Sequence, residues 1–163
     1  MELVEWGDDW ELLLKPVMKS AGFKKKGRTW YLETPETVCV LNLQMSPWGG
    51  GDFYINLGVL VKAIENISWP KEYQCHFRER LCQLMPDLHR ADALFHIRES
   101  YPIAREVRRT EILSAVDKIA LPLLAQCRNV SKLRASLEAK PRLKYGATAA
   151  LLQHLKIPDT HDW

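Results

Sequence analysis

None of the four cysteines in this chain of 163 residues stands in a CxxC pair; Cys39, Cys75, Cys82 and Cys127 are scattered singly. That excludes the spaced thiol pairs of zinc ribbons and dithiol redox motifs, and leaves buried structural thiols as the expectation. Five histidines, His76, His89, His96, His154 and His161, fall into no HxH or HExxH arrangement, so neither a metal nor a cofactor is expected. Glycine is also scarce, at 8 residues, and the run Gly49-Gly50-Gly51 lacks the GxxxxGK[ST] phosphate-loop pattern. It reads as a connection between two strands. No apolar run reaches the length of a membrane span, and a membrane partner is not expected. The first residues carry Glu2, Glu5, Asp8 and Asp9 where a secretory leader has lysine or arginine. The expected setting is therefore a reducing cytoplasm. Charge of one sign is missing too: 23 basic against 20 acidic residues leave only +3. A protein living on nonspecific phosphate contacts is more basic, and a mimic of DNA far more acidic, so nucleic acid is not the expected partner.

What the chain does have is alternation. Leu41, Leu43 and Met45 point to one side of a strand, while Asn42, Gln44 and Ser46 point to the other. A second stretch sets Phe53, Ile55, Leu57, Val59 and Val61 against Tyr54, Asn56 and Gly58. Each has an apolar core face. The opposite face carries amides and hydroxyls in place of the lysines and glutamates of an ordinary solvated surface, which points to a shaped polar surface.

Around these strands the periodicity changes to helical. Trp10, Leu13, Leu14, Val17, Met18 and Ala21 form one apolar face, with Asp8 as the expected cap, Pro16 as a kink and Gly22 as a left-handed stop. Strands are expected over 30–34, 38–46, 53–63 and 74–81, the first two joined by a turn at Pro35-Glu36. In the strand at 74–81, Cys75 and Phe77 should face inward and His76, Arg78 and Arg80 outward; a short helix opening at 80–85 is the alternative for its end. A short strand is expected at 93–98. The lysines at 24–26 read as a solvated turn. Helical spacing returns over 103–127, bent by Pro122, then over a short helix capped by Asn129 or Ser131, and again over 148–155, ahead of a loose tail. With 47% hydrophobic residues, the chain suits one α+β domain. An antiparallel sheet of four or five strands would have helices packed on one face, with extra C-terminal helices from 128 onward.

Four phrases in this order and spacing resemble a known family: Gly22-Phe23-Lys24-Lys25-Lys26-Gly27 before Trp30, Asn42-Leu43-Gln44-Met45-Ser46, Phe53-Tyr54-Ile55-Asn56-Leu57-Gly58, and Cys75-His76-Phe77-Arg78-Glu79-Arg80-Leu81. They are similar to the domain of unknown function 4304 family over about residues 5–127. The resemblance implies the fold and the boundary, a bacterial origin, and an association with toxin-neutralising immunity proteins. It implies no activity and no site.

The candidate site is therefore read from the residues. Asn42, Gln44, Ser46, Tyr54 and Asn56 share the polar face, and His76, Arg78 and Arg80 should line its edge, where arginine forks suit carboxylate or phosphate. Trp48, in the glycine-flanked loop, is a candidate interface anchor. The competing structural reading has Arg78 and Arg80 paired with acids from later helices. No Asp or Glu falls on the polar face to act as a base, and Ser46 near His76 lacks an orienting acid, so catalysis is not the leading expectation. A non-catalytic protein that binds a protein partner leads. Binding or processing of an anionic small molecule or nucleic acid on the same face comes second.

Overall fold

A computed structural model describes residues 9–47, 51–97 and 100–159. Five strands, β1 (Lys24–Lys26), β2 (Thr29–Glu33), β3 (Thr37–Met45), β4 (Phe53–Val61) and β5 (Phe77–Arg80), pair with their sequence neighbours in one antiparallel sheet. The lysine triplet is thus the edge strand β1 and not a turn. Its pairing with β2 supplies the hydrogen bonds, and three exposed lysines keep the edge from adding further strands.

The register turns alternation into two faces. Thr29, Asn42, Asn56 and Arg80 stand in one cross-strand row, flanked by the pair Gln44 and Tyr54 and by the row of Tyr31, Val40, Gly58 and Arg78. The other face presents Trp30, Cys39, Leu41, Leu43, Phe53, Ile55, Leu57, Val59 and Phe77, all buried. Helices cover that side. α1 (Trp10–Ser20) contributes Trp10, Leu14 and Met18, and Trp10 stacks on Phe53 at 4.9 Å. The cap of α1 is Asp9, whose carboxylate accepts from the Leu12 N–H; Asp8 lies outside the described residues. At its other end Gly22, at φ 89°, donates to the Lys19 carbonyl while Phe23 donates to that of Met18, closing the helix and returning Phe23 to the core.

α2 (Leu81–Leu84) follows β5 directly, so the chain turns helical where the longer strand reading would have continued. α3 (Leu88–Phe95) replaces the strand expected at 93–98. Asp87 caps it by accepting from the Arg90 N–H, and Ala91, Leu94 and Phe95 bury at helical spacing. α4 (Arg105–Ala115) runs through a π turn (Val116–Ala120) into α5 (Leu121–Gln126). In that turn the Leu121 N–H reaches back five residues to the Val116 carbonyl, directly ahead of Pro122, which has no N–H to give. Ile112, Val116, Ala120 and Leu124 form the buried stripe, as the spacing predicts.

α6 (Val130–Ala139) is capped by Asn129, and α7 (Ala149–Leu155) by Thr148. The 3-10 turn between them (Pro141–Gly146) leads the chain onto the outer edge of β5. Ala147 bridges Phe77, and the Thr148 N–H donates to the His76 carbonyl at 2.8 Å. No helix among the described residues is long and apolar enough to cross a membrane.

A polar, arginine-flanked half of the open sheet face

The face turned away from the helices is divided in two. Its apolar half, Tyr31, Val38, Val40 and Leu60, lies beneath the β4–β5 connection (62–76), which lays Ile67 and Cys75 on it. Cys75 therefore packs over Gly58 on the open side and not beside Phe77 in the main core. Burial pushes its thiol up to about 12. Trp69 belongs to this cover as well. It is half-exposed at φ 51° and edge-on to Tyr31 at 5.0 Å.

The uncovered half is polar. Asn56, only 4% exposed, donates to Asn42 Oδ1 at 3.2 Å and to Gln44 Oε1 at 2.9 Å, and Asn42 donates on to Thr29 Oγ1 at 3.0 Å. Three carboxamides and a hydroxyl are thereby locked into one orientation across three strands. With Thr29, Asn42 and Gln44 on its floor, a concavity of about 960 Å³ opens, rimmed by Lys26, Arg28, Lys71, Glu72, Tyr73, Arg78 and Arg80.

The two arginines differ. Arg78 is clamped in a two-pronged pair with Glu72 of the 3-10 turn (Glu72–Gln74), at 2.8 and 3.1 Å, which raises its already high pKa. Its partner comes from the strand connection, not from a later helix. The Arg80 guanidinium carbon sits over the Tyr54 ring at 4.0 Å, and Arg80 meets no carboxylate among the described residues.

His76 does not join this row. The chain enters β5 only at Phe77, and His76 is buried with Nδ1 accepting from the Val61 N–H at 2.9 Å. Burial lowers its pKa, which fits a neutral ring that accepts. Ser46 stands at the opposite end of the β3–β4 pair, so no Ser46–His76 couple exists. Trp48, Gly49 and Gly50 lie outside the described residues.

His96 and Asp92 adjoin this face and are not singled out by the sequence reading. The Tyr54 hydroxyl and His96 Nε2 are 2.9 Å apart, and His96 Nδ1 meets Asp92 Oδ1 at 2.7 Å. With the carboxylate accepting from Nδ1–H, Nε2 is left to accept from the tyrosine. This chain fixes the ring under Arg80. The signal for it is the four-residue spacing of Asp92 and His96, visible only once 88–95 is read as a helix. Among the described residues, no group of His, Cys, Asp or Glu is placed to hold a metal.

The fold and this face define an α+β protein: one antiparallel sheet, helices on one side, and a half-open polar surface on the other. The family model for the domain of unknown function DUF4304 matches residues 14–126, and the chain belongs to that family. No curated protein and no solved structure matches it.

Proposed function

We propose that the protein is a non-catalytic binding protein of the bacterial cytoplasm that grips an acidic patch of a protein partner with the open half of its sheet. The observation that carries this reading is Arg80, oriented on Tyr54 beside a fixed amide row and without a carboxylate of its own among the described residues. A guanidinium already held in place loses little freedom on pairing, so a partner's Asp or Glu is bound at low entropic cost. Lys26 and Lys71 on the rim extend the positive field. Four free cysteines support a reducing compartment. Neutralisation of a toxin is the form of binding that the family association suggests.

Affinity capture from the source cell with the full chain and with Arg80→Glu tests this reading. A stoichiometric partner held by the wild type and lost by the variant is expected. Recovery of nothing, or of the same protein by both, counts against it. A second reading draws on Tyr73, 69% exposed, and Trp69, 45% exposed, beside rim lysines: a flat anionic ligand such as a nucleotide or a short single strand. Thermal melting against nucleotides and oligonucleotides separates the two, since a bound anion raises the melting temperature with its concentration. A flat response retires the second reading.

A further inference from the structure

A second depression, of about 690 Å³, lies among the helices, and none of its lining comes from the open face. One wall is the π turn and α5, with Ile119, Pro122 and Leu123. The other is the end of α6 and the following turn, with Ala139 and Leu143, while Leu84 and Pro86 line it beyond α2. Leu84, Ile119 and Leu123 pack on the core yet remain partly exposed. The depression therefore has an apolar floor that the described residues leave uncovered.

Its rim is cationic. Lys118, Lys140 and Arg142 all line it, and among the described residues no aspartate or glutamate does. Arg142 is held in place by donating from Nη2 to the Gln83 carbonyl at 3.0 Å. The π turn brings Lys118 and Ile119, a charge and an apolar contact, side by side onto the same wall. The second wall comes from the segment after residue 126, beyond the reach of the family match, so that segment completes a groove whose first wall lies within the matched region.

We propose that this groove docks an amphipathic helix of a protein partner, with an apolar stripe on the floor and acidic residues facing Lys118, Lys140 and Arg142. An apolar depression between helices that is not enclosed and has a cationic rim suits a helix better than a small molecule, which is usually held in an enclosed cavity. Charge complementarity selects acidic flanks over basic ones.

The test uses the full chain against a display library of 18-residue helices, with a leucine stripe fixed and flanking positions randomised among Glu, Lys and Ser. Glu-flanked helices should be enriched about tenfold over Lys-flanked ones, as two or more uncompensated cations require. The double variant Lys118→Glu/Lys140→Glu, altered only at exposed positions, should reverse that preference. Arg80→Glu on the sheet should leave it unchanged, which keeps this inference separate from the open-face reading. No enrichment, equal enrichment of Lys and Glu flanks, or an unaltered preference in the double variant would each overturn it. So would binding of laurate, tried separately, that outcompetes every selected helix.

Discussion

The helix-covered face of the sheet and the polar half of its open face are built by opposite rules, and the apolar burial that stabilises the fold lies outside that polar half. On the helix side every residue of β4 from Phe53 to Val61 that faces the core is at most 1% exposed. Across the sheet, Asn42, Gln44, Asn56 and Thr29 spend their polar groups on one another. The difference teaches where substitution should hurt. Removing apolar volume leaves a cavity, whereas removing a partly exposed amide leaves groups that water can satisfy. Phe53→Ala should therefore cost about 3–5 kcal/mol in urea unfolding. Gln44→Ala, at the neighbouring register position on the other face, should cost less than about 1 kcal/mol. Equal losses would erase the contrast between the faces.

A second way to break the comparison is to loosen what seals the sheet's far edge. A Cβ on Gly146 would come within 2.2 Å of the Arg78 carbonyl oxygen and 2.9 Å of Glu79 Oε1, and backbone cannot swing aside. Gly146→Ala should lift the C-terminal segment from β5 and destabilise the protein by about 2–3 kcal/mol. Hydrogen exchange would localise the damage: the Thr148 amide, bonded to the His76 carbonyl, should lose protection first. The wall of the helical groove should loosen with it. A neutral substitution would show that the segment rests on the edge without gripping it.

Glu79 gives a third, pH-dependent test, because it is an acid on the helix-covered face. Burial pushes its carboxyl up from the ordinary 4.5 to about 7, opposed by Arg142. A folded-state pKa above the unfolded value means that the native state holds the extra proton. Stability then falls as pH rises from about 4.5 through 7 and stays reduced above. Glu79→Gln should thus add about 1–2 kcal/mol at alkaline pH and almost nothing in acid below 4. Melting curves of both proteins at the two extremes decide it, and an equal gain at both would refute the ionic explanation.

How far these faces are legible in the sequence depends on how periodic each part is. The strand stretches 41–45 and 53–61 read correctly because a period of two, with one side wholly apolar, admits one register. From that register the row of Asn42, Asn56 and Arg80 follows. β1 does not, since Lys24–Lys26 has no apolar side and is a strand only through its pairing with β2. His76 was misplaced because alternation holds only inside the strand, and the strand begins one residue later. The stretch from Ala93 to Ile97 mixes apolar residues in a way that suits strand or helix; the cap at Asp87, outside that window, decides for helix. With the helix misread, the Asp92–His96–Tyr54 chain could not be seen. Which half of the open face stays uncovered is set by the irregular 62–76 connection, and no pattern announces it.

The smallest expected effect on stability falls on the residue expected to matter most for binding. Arg80 is partly exposed, crosses one aromatic ring at 4.0 Å and has no carboxylate partner among the described residues. Its removal forfeits a cation–π contact worth about 0.5–1 kcal/mol at such a site. Arg80→Ala should therefore barely shift the unfolding midpoint while weakening capture of the partner at least about tenfold, the usual scale for losing an interfacial arginine. Tyr54→Phe sharpens the point. It keeps the ring under the guanidinium but cuts the hydrogen bond to His96, so the platform stays and its anchor goes. If orientation of Arg80 is what the open face contributes, Tyr54→Phe should weaken capture by a few-fold, less than Arg80→Ala but more than nothing. Full binding by both variants would place the partner elsewhere and reduce the amide row to a way of ending a sheet in water.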